Sequence, residues 1–403
     1  MSINLQELFS VNANGIKKSV IRELLKLTSN PEIISFAGGL PSPESFPVEE
    51  LKETVLEVLE NEPKTALQYT STEGDTILSE ELVKHSNENG MNVSDKNILI
   101  TTASQQGLDL ISKIFINRGD KVIVELPSYV GGLGAFNAYG ADMIGISMDE
   151  EGASADMLRE KLSELSAKGE KPKFIYLIPD FQNPAGVTIS LKRRKEILQI
   201  AYEFDVLILE DSPYHELRFE GESVPSLYSL DDKNQVILLG TFSKILAPGF
   251  RIGWIVAHHK IINKLIAAKQ SADLCSPSFS QRIMGRFLQK GHLGRNIEKI
   301  KIMYHKKRDL MIAGFEKHMP KGVSWTTPEG GLFLLVKVPK YIDTDKLFDI
   351  ALKYNVAFVI GSAFHCDGSG HDTMRINFSY ASEDQIEIGV KRLAKAIREY
   401  PKK

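Results

Sequence analysis

The sequence predicts an α/β fold with a large domain, in which helices cover a mostly parallel sheet, and a smaller α+β domain. Three observations support this prediction. Short apolar segments alternate with helical segments between residues 97 and 257, which is the pattern of βαβ units. After His258 the alternation gives way to longer helices and fewer strands. The chain also has 403 residues, 42% of them hydrophobic, which is enough to fill two cores.

The N-terminal part precedes the alternating pattern. Apolar residues at helical spacing, separated by charges, predict an amphipathic helix over residues 16–27. Residues 33–47 contain Gly38-Gly39 and three prolines, which exclude regular structure but allow a close approach of the backbone. A plain linker is the alternative for this stretch. A helix over residues 49–59 and a loop that carries Tyr69 follow.

The rest of the chain predicts elements at regular intervals. The strands of the large domain are predicted at residues 97–101, 121–124, 142–146, 174–178, 206–209, 236–239 and 251–257. The later elements are predicted as helices 260–269, 279–288, 296–318, 344–354 and 383–399 and strands 332–338, 356–360 and 374–378. This order divides the chain into an N-terminal helix and arm (1–48), a large domain (49–290) and a small C-terminal domain (291–403).

Charge and cysteine content limit the function classes. The chain has 49 Lys and Arg against 52 Asp and Glu, without a long run of one sign, which argues against nucleic acid and membranes as partners. Cys275 and Cys366 are far apart and suit neither a disulfide framework nor a Cys-x-x-Cys metal site. The first residues lack a basic segment followed by an apolar run. We therefore expect a cytoplasmic protein that acts on small molecules and binds no metal.

The most informative stretch places one lysine, Lys244, among apolar and hydroxyl residues. An apolar segment predicted as a buried strand ends just before it, at the position where α/β proteins bind ligands. Partial burial beside Arg251 should disfavour the ammonium form and make the amine a better nucleophile towards an aldehyde. Thr241, Ser243 and Arg251 are groups that a phosphate next to such an aldehyde would need. The alternative is a solvated surface lysine.

Two earlier loops also follow predicted strands. Ser104 and Gln105 lie where a helix begins, so its free N–H groups and dipole could help them to hold a phosphate. A simple helix cap is the alternative there. Tyr129 follows the next strand and places an aromatic ring at the same sheet edge. A structural tyrosine is the alternative for this residue.

The last two loops add an amide and an acid. Asn183 lies in a proline-rich turn, and Asp211 and Tyr214 come just past a buried strand. Glu210 and Asp211 should point in opposite directions if the strand continues through them. An acid at the end of a buried strand needs a cationic partner, which a protonated pyridine nitrogen would supply. The alternative is an acid that caps the following turn.

These motifs together resemble those of the fold-type I pyridoxal-phosphate aminotransferases, the aspartate aminotransferase superfamily. The resemblance extends over nearly the whole chain and is strongest to the branch that contains α-aminoadipate and kynurenine aminotransferases and the MocR-type regulators. The set that carries it comprises Asn183, Asp211, Tyr214, Ser243, Lys244, Arg251 and Arg375. Ala185 and Thr241 replace a Thr and a Ser that are common in the family, and neither change removes a chemical role.

The resemblance implies pyridoxal 5'-phosphate (PLP) as the cofactor. Lys244 would form the covalent link to the cofactor aldehyde and move the proton, Asp211 would pair with the pyridine nitrogen, and Tyr129 would stack on the ring. Asn183 and Tyr214 would donate hydrogen bonds to the phenolic oxygen of the cofactor. Its phosphate would be bound by Ser104, Gln105, Ser243, Arg251 and, from the other subunit of a homodimer, Tyr69. The substrate α-carboxylate would be bound by Arg375, Asn183 and the backbone at Gly39.

The resemblance further implies an aminotransferase that takes dicarboxylic, aromatic or long aliphatic 2-amino acids and uses 2-oxoglutarate as the acceptor. Arg22 matches an arginine that meets the distal carboxylate in the aminoadipate and kynurenine branch, although it could be one more solvated charge on an amphipathic helix. Within the same fold a β-lyase, a decarboxylase or a carbon–carbon bond-forming synthase is the alternative. A MocR-like ligand-sensing domain is a further alternative, but the sequence offers no basic patch for DNA.

Overall fold

The structure is a computed structural model, and it describes residues 3–16, 30 and 32–401. Its α-helices are α1 (Leu5–Leu8), α2 (Val11–Gly15), α3 (Val48–Asn61), α4 (Pro63–Ala66), α5 (Thr76–Glu88), α6 (Ala103–Phe115), α7 (Val130–Ala138), α8 (Ala155–Ala167), α9 (Leu191–Glu203), α10 (Leu227–Leu230), α11 (His259–Gln270), α12 (Ser278–Gln289), α13 (His292–His318), α14 (Thr344–Lys353) and α15 (Glu383–Glu399). The predicted helix at residues 16–27 lies almost entirely outside the described residues.

The strands form three sheets. They are β1 (Ile34–Ser35), β2 (Ile98–Thr101), β3 (Lys121–Leu126), β4 (Asp142–Asp149), β5 (Gly152–Ala153), β6 (Phe174–Leu177), β7 (Leu207–Asp211), β8 (Val236–Thr241), β9 (Gly253–Val256), β10 (Ser324–Trp325), β11 (Phe333–Lys337), β12 (Val356–Ala357), β13 (Val359–Ile360) and β14 (Thr373–Asn377). Most lie within two residues of the predicted bounds.

The large sheet has eight strands in the order β2-β9-β8-β7-β6-β3-β4-β5. The five central strands, from β8 to β4, run parallel to one another. β9 is antiparallel to its two neighbours, β8 and β2, so β2 has the direction of the central strands, and β5 is antiparallel to β4. Strands β2, β6 and β8 are buried along their whole length, which explains their continuous apolar sequence. The predicted mostly parallel α/β sheet is therefore confirmed.

The carboxyl ends of β3, β6, β7 and β8 lie at one edge of this sheet because these strands are parallel. Four of the five loops that the sequence singled out for chemistry leave from these ends, and the fifth, which carries Ser104 and Gln105, follows β2. Strand pairing thus brings together residues that are more than 100 positions apart in the chain, from Tyr129 to Lys244.

The C-terminal part contains an antiparallel sheet in the order β10-β11-β14-β13. The predicted single strand over residues 356–360 is wrong, because it divides between two sheets. β12 pairs in parallel with β1, and β13 pairs with β14. The apolar segment 356–360 therefore connects β1 to the C-terminal sheet.

Helix α5 was not predicted from the sequence. It begins at an Asp75 cap, whose side chain accepts a hydrogen bond from the Leu78 N–H, and it packs mainly against α12. Among the residues that the structure describes, no helix is both long and apolar enough to cross a membrane.

Candidate active site

Lys244 lies in the turn after β8, with its amine directed at the N-terminal loop. Its Nζ donates a hydrogen bond to the Gly39 carbonyl at 2.8 Å. Burial, and then the charges of Arg375 and Arg251, lower the pKa of Lys244 to about 8. The shift has the direction that the sequence predicts, but Arg375 contributes more than Arg251. An amine with this pKa is partly neutral near pH 8 and can act as a nucleophile or base.

Asp211 is the last residue of β7 and is 2% exposed. Its Oδ2 accepts a hydrogen bond from the Tyr176 hydroxyl at 2.8 Å, while its Oδ1 is buried without a partner among the described residues. Burial raises the pKa of Asp211 to about 6, although the Tyr176 hydrogen bond and the Lys244 charge oppose this shift. The site therefore contains a carboxylate oxygen that is open to a cationic hydrogen-bond donor.

Glu210 points away from Asp211, as strand alternation predicts. Its two carboxylate oxygens accept the backbone N–H groups of Leu227 and Tyr228 at 3.1 and 2.8 Å, at the start of α10. Burial raises the pKa of Glu210 to about 7, against the opposing charge of Arg194. This acid therefore anchors a helix on the side of the strand opposite to the one that Asp211 faces.

Arg375 comes from β14 and is 1% exposed. Its guanidinium donates to the Asn183 side-chain oxygen at 2.9 Å and to the Ala37 carbonyl at 2.8 Å, and its Nε has no partner among the described residues. It also lies over the Phe333 ring, 4.2 Å from the centroid. Burial lowers the pKa of Arg375 to about 10, because no described carboxylate pairs with it.

Asn183 joins this arginine to Tyr214. Its side-chain nitrogen donates to the Tyr214 hydroxyl at 3.3 Å, and both residues are buried. Burial raises the pKa of the Tyr214 hydroxyl, and the Asn183 hydrogen bond opposes that change. The structure thus brings Arg375, Asn183 and Tyr214 into one chain of contacts, with Gly39 beside Arg375.

Ser243 and Arg251 meet on the other side of Lys244. The Ser243 hydroxyl accepts hydrogen bonds from the Thr241 hydroxyl at 3.0 Å and from the Arg251 guanidinium at 3.5 Å. A Cβ at Gly253 would lie 2.7 Å from the backbone of Ala103 and Ser104. Glycine therefore allows the first turn of α6, with its free N–H groups, to lie directly against β9 close to Arg251.

Tyr129 and Gln105 also lie together. The Tyr129 hydroxyl donates to the Gln105 side-chain oxygen at 3.4 Å, and the Gln105 amide donates to the Gly131 carbonyl at 3.0 Å. These contacts connect the starts of α6 and α7. The aromatic ring is therefore held beside the helix terminus that we expect to bind phosphate.

One predicted residue, Tyr69, is not part of this arrangement in the single chain. Tyr69 is 78% exposed, and its side chain makes no contact with the other predicted residues among the contacts that the structure describes. Arg22 lies outside the described residues.

Sequence reasoning missed three residues at the site. Tyr176 lies in the centre of the predicted apolar strand 174–178, where the sequence pattern does not indicate a functional role. Glu125 follows the predicted strand 121–124 by one residue, and Gln182 lies in the same proline-rich turn as Asn183. An acid in an apolar strand, such as Glu125 in β3, was the available signal.

The residues fit the PLP that the family resemblance implies. The unpartnered Oδ1 of Asp211 matches a protonated pyridine nitrogen, and the Lys244 amine matches an aldehyde. The serine, arginine and helix terminus near Gly253 match a phosphate.

Comparison with known proteins agrees with this fit. The family model for aminotransferases of class I and II matches residues 31–393. An aromatic-amino-acid aminotransferase from Thermococcus litoralis is 47% identical over 403 residues, which cover 100% of this chain and 97% of that protein.

Two solved structures are also similar. A kynurenine aminotransferase from Pyrococcus horikoshii, in complex with PMP, has a TM-score of 0.95 at 46% identity and covers 98% of each chain. An α-aminoadipate aminotransferase from Thermus thermophilus, complexed with N-(5'-phosphopyridoxyl)-L-leucine, has a TM-score of 0.91 at 38% identity, again over 98% of each chain. The chain therefore belongs to the class I and II aminotransferase family and is a PLP-dependent aminotransferase.

Proposed function

We propose that this aminotransferase takes its amino group from aromatic, dicarboxylic or long aliphatic 2-amino acids and transfers it to 2-oxoglutarate. The observation that carries the proposal is the buried Arg375, which has no carboxylate partner among the described residues and is close enough to Lys244 to lower the pKa of that amine. A buried cation without a partner is costly unless a ligand supplies the anion. The α-carboxylate of an amino acid is that anion.

Each predicted site residue then has a proposed role. PLP supplies an electron sink when it is bound. Lys244 holds the cofactor and, as a free amine, moves the proton at the substrate Cα. Asp211 keeps the pyridine nitrogen protonated, and Asn183 and Tyr214 hold the phenolic oxygen. Stacking by Tyr129 and phosphate binding by Ser104, Gln105, Ser243 and Arg251 complete the set.

The substrate class is supported by the relatives, whose names state aromatic amino acids, kynurenine and α-aminoadipate. A dicarboxylic substrate needs a second cation for its distal carboxylate, and we assign that role to Arg22. This assignment depends on the sequence resemblance, since Arg22 lies outside the part of the chain that the structure describes. An aromatic substrate needs only apolar surface at the same place.

An Arg22→Ala variant tests the substrate assignment. Its KM for glutamate or aminoadipate should rise about tenfold, because a charged hydrogen bond contributes about 1.5–3 kcal/mol. Its KM for phenylalanine or leucine should stay within about twofold. The measurement is steady-state kinetics with 2-oxoglutarate as the acceptor. An equal change for both substrate classes would make Arg22 structural, and absence of turnover with 2-oxoglutarate would refute the acceptor.

We also propose a homodimer in which Tyr69 reaches the phosphate of the other subunit. Its 78% exposure in the single chain supports this role, because a tyrosine that serves a neighbouring subunit must leave its own. Mixing inactive Tyr69→Ala with inactive Lys244→Ala should restore activity, to about a quarter of the wild-type value at equal mixing if one site per dimer carries both wild-type residues. No recovery after verified subunit exchange would contradict shared sites.

A further inference from the structure

Glu125 is a buried carboxyl at the end of β3 that the proposed chemistry does not use. Its side chain is 0% exposed. Its Oε2 accepts the Ile178 N–H at 3.0 Å and the Gln182 amide at 3.2 Å, and its Oε1 has no partner among the described residues. Both donors belong to the loop that leads from β6 to Asn183. One carboxyl of β3 thus holds the neighbouring loop at two points.

Gln182 extends this contact to two further loop positions. Its amide nitrogen also donates to the Pro127 carbonyl at 2.8 Å, and its amide oxygen accepts the Ala185 N–H at 2.8 Å. Pro127 lies two residues before Tyr129, and Gln182 immediately precedes Asn183. A single side chain therefore joins the loop of the stacking residue to the loop of the residue that contacts Arg375.

The surroundings of Glu125 favour its uncharged form. No cationic side chain of the described residues lies within ion-pair distance of it. The groups that face it are the Asp211 carboxylate from β7, whose charge opposes ionisation, and the Tyr176 hydroxyl from β6. Burial, assisted by Asp211, raises the pKa of Glu125 to about 8, although its two hydrogen bonds oppose the change.

We propose that Glu125 and Gln182 form a positioning pair for the transamination site, in which the Glu125 carboxyl fixes Gln182 and Gln182 fixes the backbone that presents Tyr129 and Asn183. This inference rests on the proposed roles of Tyr129 and Asn183. A carboxyl group suits the task because one of its oxygens can accept two donors at once. Its uncharged state keeps a second negative charge away from Asp211, which must stay ionised beside the pyridine nitrogen.

The test compares Glu125→Gln, Glu125→Leu and Gln182→Met in the PLP-loaded enzyme. Glu210→Leu is the matched control, because Glu210 is an equally buried acid that holds backbone N–H groups on the opposite side of β7. The readouts are kcat and KM per bound PLP from pH 6 to 9.5, the visible circular dichroism of bound PLP and the midpoint of thermal unfolding. The dichroism reports how the ring is held, separately from turnover.

We expect Glu125→Leu and Gln182→Met each to lower kcat/KM by about ten- to a hundredfold, since each removes two or more buried hydrogen bonds behind the site. Both should change the dichroism of bound PLP. Glu125→Gln should keep kcat/KM within about threefold at pH 7 and should overtake the wild type above about pH 8, where more than half of Glu125 is ionised. Glu210→Leu should lower the unfolding midpoint and leave the dichroism unchanged.

Two results would overturn the proposal. Glu125→Gln could be as damaging at pH 7 as Glu125→Leu, which would make the charged carboxylate the working form. Alternatively, Glu125→Leu and Gln182→Met could lower only the unfolding midpoint. If Glu125→Leu does not fold, Gln182→Met and Glu125→Gln decide the question by the same criteria. An Asn183→Ala variant distinguishes failure of the proposed function from failure of the positioning pair. If Asn183→Ala leaves kcat/KM unchanged, the proposed role of Asn183 is wrong. If Asn183→Ala lowers kcat/KM but the Glu125 variants do not, only the positioning pair is refuted.

Discussion

Asp180 and Asp211 are both buried carboxylates near the carboxyl ends of neighbouring strands, and they have opposite surroundings. Asp180 receives the Arg194 guanidinium at 2.6 Å and faces the His215 ring nitrogen at 3.0 Å. Burial disfavours its ionised form, but these two partners outweigh burial and lower the pKa of Asp180 to about 2. Asp211 has one hydrogen bond and, among the described residues, one oxygen without a partner; burial raises its pKa to about 6.

The difference separates a carboxylate that supports the fold from one whose proposed role is to meet a ligand. At Asp180 the protein itself supplies the compensation for burial, whereas at Asp211 we propose that the cofactor supplies part of it. The same contrast holds for the two buried arginines, since Arg194 has a carboxylate partner and Arg375 has none among the described residues. Incomplete compensation of buried charge is therefore what distinguishes the functional site here.

The largest expected effect is the loss of activity on replacing Lys244, which we propose to bind the cofactor. Lys244→Ala should reduce kcat by at least about 10⁴-fold, because in the proposed role the same amine holds the cofactor and moves the proton. Steady-state kinetics of the purified variant measures this loss. Borohydride reduction of the wild type followed by peptide mapping should identify Lys244 as the modified lysine. Modification of a different lysine would refute the assignment.

A smaller effect, on stability, is expected from replacing Arg194, the partner of the buried Asp180. Arg194→Met should lower the free energy of unfolding by about 3–5 kcal/mol, because it leaves the buried Asp180 without its guanidinium partner. The kcat of the folded fraction should stay within about twofold. Lys192→Met on the same helix is the control, since Lys192 is exposed and its side chain meets only Glu196 at 3.8 Å. Urea unfolding measures both, and equal stability of the two variants would contradict the comparison.

The smallest effect has the opposite sign. The folded-state pKa of Asp211 is raised above its unfolded value, so ionisation between about pH 4 and 6 lowers stability. Asp211→Asn should therefore raise the free energy of unfolding of PLP-free protein by about 1–3 kcal/mol at pH 7, and by little at pH 4. The same variant should lose most of its activity. For Asp180 the slope is reversed, since its stabilisation is present above about pH 4 and is lost as pH falls towards 2. A destabilised Asp211→Asn at pH 7 would refute this account.

Much of this architecture could be predicted from the sequence, because strand periodicity and the position of loops after strands follow local rules. Lys244, Asp211 and Asn183 are predicted as site residues in this way, and their roles stay predictions. Tyr176 and Glu125 were not, since their role depends on which strands are neighbours in the sheet, and β3, β6 and β7 are far apart in the sequence. The splitting of residues 356–360 between two sheets was missed for the same reason. A local apolar pattern does not specify its partner strand.

The residues that follow β1 connect the C-terminal part of the chain to Lys244. The pairing of β1 with β12 continues at the next residue, because the Phe36 N–H donates to the Ala357 carbonyl. The Ala37 carbonyl then accepts a hydrogen bond from Arg375, and the Gly39 carbonyl accepts one from the Lys244 amine. This short segment is paired with β12, its Phe36 carbonyl accepts the Asn377 N–H of β14, and its Gly39 carbonyl contacts the Lys244 amine. A displacement of β12 and β14 relative to the eight-stranded sheet would therefore also displace the hydrogen-bond acceptor of Lys244.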